Sequence, residues 1–143
     1  VRVVGGSVGV REMSDYIKFV VEYGKKLEKK KKECNSIDAF IRRTEEFPSL
    51  VVQEGLVPAM TFYYSKAEGV VDLERANCEE LSNEGKGYSA YLGFLIDVLK
   101  KFSNVNCKDA LDCIRSVREG ELVITRKVLP VLVEMKKVAN IVG

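Results

Sequence analysis

The chain contains no histidine. That removes the commonest general base, the usual partner of a nucleophilic serine and the commonest zinc ligand. Ser7, Ser65 and Ser89 therefore have no imidazole to activate them, and the Glu-x-x-His motif of helical-bundle metal sites cannot be written. Cysteine is scarce: Cys34, Cys78, Cys107 and Cys113 are the four present, and none are spaced as Cys-x-x-Cys. Neither a zinc ribbon nor a thioredoxin-like site follows from them. They are expected to be small, buried, reduced residues, with a structural disulfide as the alternative reading. Long apolar runs are missing as well; none approaches the ~18 residues of a membrane span. The opening VRVVGGSVGV lacks the apolar core of a signal peptide, and its GGSVG matches neither a P-loop nor a dinucleotide fingerprint. Residues 1–13 are expected to be a disordered extension, and residues 14–143 a single domain.

The 143 residues suffice for one domain with a core of its own. Apolar residues make up 46%, which is ordinary, while charged residues reach 31% against a usual figure of about 25%. The net charge of +2 is far from the bias of a dedicated nucleic-acid binder. The basic residues are clustered, however, so one face can be cationic while the total stays near neutral.

Helical periodicity dominates. Tyr16, Phe19, Val20, Tyr23 and Leu27 predict a first helix from Asp15 to about Lys32, N-capped by Ser14. A second helix starts at Asn35 or Ser36 and ends at Phe47-Pro48, because the residue before proline avoids the helical region. Residues 48–66, PSLVVQEGLVPAMTFYYSK, read as two apolar helical segments joined at Gly55. With apolar residues nearly all round, this segment is expected to be the centre of the core. Asp72 is a candidate cap for a short helix, Leu73 to Leu81, and SNEGKG is a turn-rich linker. Tyr88, Tyr91, Leu92, Leu95, Leu99 and Phe102 form a clear stripe. Asn106 and Asp109 resemble a capping box for a helix bearing Ala110, Cys113, Ile114 and Val117. A last helix runs from Glu121 to about Ile141, with Pro130 expected to kink it. No strand is convincing. The fold class is all-α, a compact bundle-like domain of six to seven helices.

Carboxylate pairs such as Glu45/Glu46, Glu79/Glu80 and Asp72/Glu74 sit in charged or turn-like surroundings, where solvation is the default. Asp109 and Asp112 fall opposite the apolar stripe of their helix. No metal site and no cofactor site follows, and no catalytic residue is assigned. Basic groups are better organised. Lys25, Lys29 and Lys32 share one helix face, and Arg42-Arg43, Lys100-Lys101, Arg126-Lys127 and Lys136-Lys137 are further pairs. Such groups neutralise phosphates without reading bases.

Pro48, the aliphatic Leu50–Val52, Gly55-Leu56, Phe62 and Lys66-Ala67-Glu68 resemble a pattern found in the small subunit of type III-B CRISPR (Cmr) effector complexes. TRKVLPVLVEMKKVA, Thr125 to Ala139, is similar to that family's final helix, although Pro130 and Glu134 depart from it. The order and spacing agree from Ser14 onward. The resemblance implies a non-catalytic, cytoplasmic, helical subunit of an antiviral complex. It would stack with copies of itself as the minor filament along guide and target RNA, beside the other Cmr subunits, with no membrane and no small-molecule substrate. It points to Lys66, Arg126, Lys136 and Lys137 as the leading RNA-backbone contacts, with Arg42, Arg43 and the Lys25, Lys29, Lys32 face next. Recognition would be through charge and shape, with sequence left to base pairing. The competing readings are a free-standing helical adaptor without RNA contact, and a carboxylate-metal hydrolase.

Overall fold

A computed structural model describes residues 10–84 and 86–143. The expectation of a disordered extension, and the glycines of GGSVG, lie outside the described residues for positions 1–9. Seven helices are found among the described residues, with no strand: α1 Val10–Glu33, α2 Asp38–Glu54, α3 Leu56–Lys66, α4 Cys78–Ser82, α5 Gly87–Ser103, α6 Ala110–Arg118 and α7 Glu121–Val142. The all-α reading stands. α1 begins at Val10, earlier than the Ser14 cap implies, because Arg11, Glu12 and Met13 are good helix formers that carry the turn upstream.

The centre of the molecule is α5, where ten of seventeen residues are buried, among them Tyr91, Leu92, Phe94, Leu95, Val98 and Leu99. This corrects the expectation that residues 48–66 would hold that place. The 48–66 segment buries Val51, Leu56, Ala59, Met60 and Tyr63 but leaves Val52 73% and Phe62 42% exposed. Its apolar residues wrap round the helices, yet only one side of them meets the core. α2 also passes through Pro48 without stopping. The proline cannot donate to the carbonyl four residues earlier, but Phe47, Pro48 and Val51 are buried on the core and hold the turn in place. The break comes at Gly55, whose φ of 100° suits glycine. Glu121, in the first turn of α7, then accepts a hydrogen bond from Val57 N–H at 2.9 Å. One carboxylate thus serves the positive N-terminal ends of both α3 and α7.

Rings fill the space around α5. Phe94 meets Tyr23 at 4.9 Å and Phe19 at 6.2 Å between ring centres, and Tyr91 meets Phe47 at 5.2 Å. Burial, then a hydrogen bond to Asp97, pushes the Tyr23 phenol far above its ordinary pKa. Burial and a hydrogen bond to Glu46 do the same for Tyr63. Both phenols therefore stay protonated and act as donors. The short elements are capped by side chains. Asn77 and Glu80 form a capping box on α4, and Asp109 caps α6 by accepting from Asp112 N–H at 2.9 Å. The expected caps at Asp72 and Asn106 both move several residues along the chain.

The cysteines are paired, contrary to the reading of free thiols. Cys34 joins Cys78 and Cys107 joins Cys113, and none is free. Spacings of 44 and 6 residues match no metal or redox motif, so only the fold reveals the partners. The first bridge ties the α1–α2 junction to α4; the second closes the turn that leads into α6. In the chain-entropy account a loop of 44 residues is worth about 4 kcal/mol, and one of 6 residues about 2 kcal/mol. Denaturant unfolding should therefore show Cys34→Ser/Cys78→Ser losing about twice as much stability as Cys107→Ser/Cys113→Ser, with the gap closing in the presence of reductant.

Candidate nucleic-acid interface

α7 lies between α1 and α2 and rests on α5. α1 runs beside it in the same direction: Tyr16 shares a groove with Leu129 and Pro130, Gly24 packs on Val138, and Lys31 donates to the Val142 carbonyl at 2.8 Å. The approach at Gly24 is close. A Cβ there would stand 2.5 Å from Val138 Cγ1, so a side chain at this position would force Val138 to turn or the helices to move apart. α2 runs the other way, with Ile41 near Gly143 and Val52 beside Val133 and Lys136.

This arrangement brings most of the basic candidates to one side. The buried edge of α1 is Val20, Tyr23 and Leu27, so Lys25, Lys29 and Lys32 project away from the core and are exposed. The buried edge of α7 is Ile124, Val128, Val131, Leu132, Met135 and Ala139. Arg126 and Lys137 project outward from it, with Lys136 at its α2 side. Among the described residues, Lys25, Lys29, Lys32, Arg126 and Lys136 form no ion pair, while Lys137 is held by Glu134 at 3.0 Å. Lys18 is exposed one heptad before Lys25 and extends the same row. Extending the spacing one heptad toward the N-terminus would have found it.

The remaining candidates lie elsewhere. Lys66 ends α3 with its ammonium 5.5 Å from the Phe62 ring centre, beside the start of α5. Arg42 is tied to Glu84. Arg43 is turned inward: only 4% exposed, it stacks on Tyr88 at 4.4 Å and lies 3.5 Å from Glu46 and 3.6 Å from Glu84. Glu46 in turn accepts from the Tyr63 hydroxyl at 2.7 Å. Arg43 is thus a bracket between α2, α3 and α5, with no charge presented to solvent. The adjacent pair Arg42-Arg43 reads alike in sequence, but a helix turns each successive side chain by about 100°. One arginine therefore faces out and the other in.

The arrangement can neutralise a run of phosphates. Among the described residues, no group of acidic and thiol side chains converges to hold a metal ion, and no helix is long and apolar enough to cross a membrane. Compared with known proteins, residues 12–142 match the family model described as CRISPR-associated protein (Cas_Cmr5). No curated protein and no solved structure matches the chain.

The two arginines separate in a mutational test. Arg43→Ala, which takes the cation away from Glu46 and uncovers the Tyr88 face, should cost about 2 kcal/mol in denaturant unfolding. Arg42→Ala, an exposed ion pair, should cost less than about 1 kcal/mol.

Proposed function

The chain belongs to the CRISPR-associated Cmr5 family, the small subunit of type III-B Cmr effector complexes, and from that premise we propose that it lies along the guide and target RNA as a non-catalytic member of the minor filament. The observation that carries this reading is the pairing of α1 and α7. It turns Lys25, Lys32, Arg126 and Lys137 outward on neighbouring helices, with Lys29 at the cleft lined by Glu33 and Glu74 and Lys136 at the α2 side; among the described residues, five of these six form no ion pair. Lysines on the last turns of α1 are also favoured there by the helix dipole, which costs the fold nothing. Rows of ammonium groups on two adjacent helices contact a phosphate backbone without regard to sequence.

The reading assigns Lys25, Lys29, Lys32, Arg126, Lys136 and Lys137 to the RNA backbone. Lys66 and Arg42 contribute at a second, smaller place, and Arg43 acts only through the fold. Copies of the chain stacked head to tail make a heterologous contact that propagates as an open filament. RNA cleavage then falls to other subunits, in keeping with the lack of a histidine.

Lys136→Glu/Lys137→Glu should weaken target-RNA binding by the reconstituted complex. It should lower the slope of log K against log salt by about one to two. Normal RNA affinity and an unchanged slope, measured on a complex that contains the variant subunit, would remove these lysines from the RNA face. Failure of the variant to enter the complex at all would assign them to a protein contact instead.

A further inference from the structure

The first half of α7 turns a different surface outward. Tyr16, Leu129, Pro130 and Val133 floor an apolar groove of about 540 Å³, with Arg126 and Glu134 at its rim. Val133 also lines the neighbouring cleft beside Val52. Val123, 54% exposed, extends the apolar surface toward the start of the helix. Contiguous apolar surface of this kind on a soluble protein marks a contact site. Pro130 adds a polar feature. Its missing N–H frees the carbonyl of Arg126, four residues earlier, to accept a hydrogen bond from a partner.

The chemistry of the groove points to protein rather than RNA. An apolar floor gives phosphate nothing to bind. Its one ring, Tyr16, is half-buried and meets Phe102 edge-on at 5.1 Å, so it is not a platform for a base. The charge around the groove is one-sided. Among the described residues Arg126, Lys127 and Lys136 form no ion pair, and Glu134 is already matched to Lys137. A partner whose apolar anchors fill the floor must bring acidic groups to meet that rim.

We propose that this groove receives an acidic amphipathic helix from a different subunit of the effector complex. The inference rests on membership of the complex and shares Arg126 and Lys136 with the RNA contacts proposed above, so it is tested by assembly without RNA.

The test is assembly. The purified chain, mixed with the other subunits of its complex in the absence of RNA, is followed by size-exclusion chromatography at several salt concentrations. Val133→Glu should reduce incorporation at least tenfold. Val123→Glu should act in the same direction and settles the matter if Val133→Glu folds poorly, since an acid in the first turn of α7 suits the helix dipole. Leu111→Glu, at a site 79% exposed on α6, should incorporate normally. Wild-type incorporation should weaken as salt rises. Full incorporation of a folded Val133→Glu and of Val123→Glu overturns the proposal. So does loss of self-association alone, which would make a second copy the occupant, or loss of RNA binding with normal assembly, which would make the groove part of the RNA face.

Discussion

The burial of α5 constrains everything around it. A helix enclosed on nearly all sides needs neighbours on nearly all sides, and α1, α2, α3, α4 and α7 supply them. The neighbours do not approach equally. α1 is held off α5 by the rings of Phe19, Tyr23 and Phe94, while Gly24 lets it close directly on α7. The result is a pair of long parallel helices whose outward sides form one surface. The lysine rows are adjacent because ring volume and a missing side chain place the helices that bear them, while Lys25, Lys29 and Lys32 themselves point away from that packing.

The charges divide along the same lines. Toward α4 and the loops on either side of it, acids meet bases: Glu84 with Arg42 and Arg43, Glu74 with Lys26, and Glu79 with Lys86. Lys30 spends its charge on the Ala76 carbonyl at 2.7 Å. Most of these pairs are exposed and individually worth little, but together they neutralise that side. The outward side of α1 and α7 has few such partners. A near-zero net charge therefore hides a local excess, and it is the local excess that a polyanion meets.

Much of this was legible from periodicity. The stripes at residues 16–27 and 88–102, and the apolar pattern of the last helix, reproduce α1, α5 and α7, because each presents an apolar edge at helical spacing to a shared core. Local rules were less secure where tertiary contacts outweigh them. Pro48 reads as a stop signal, yet buried Phe47 and Val51 hold the helix through it. Phe62 and Val52 read as core residues, yet α3 and the end of α2 have only one side to bury. Cys34 and Cys78 lie 44 residues apart, and only the return of the chain past the end of α1 makes them neighbours. Arg43 could not be told from Arg42 without knowing that Tyr88 and Glu46 wait on its side of the helix. The apolar groove went unread because its residues alternate with the charges that drew attention to α7.

That alternation has a physical consequence. At 1.5 Å per residue, Val133 lies only about 6 Å along the helix from Lys137, and Arg126 about 10 Å from Val133. The first is inside the Debye length of about 8 Å at physiological salt, and the second is only slightly beyond it. An acidic partner seated in the groove would therefore lower the positive potential at Arg126 and Lys137 far more than at Lys25 or Lys32, which stand on the next helix and further toward its C-terminal end. With the groove and the lysines filled as proposed, the two contacts would be coupled by that distance dependence, and the acidic residues of the neighbour would set which lysines remain for RNA.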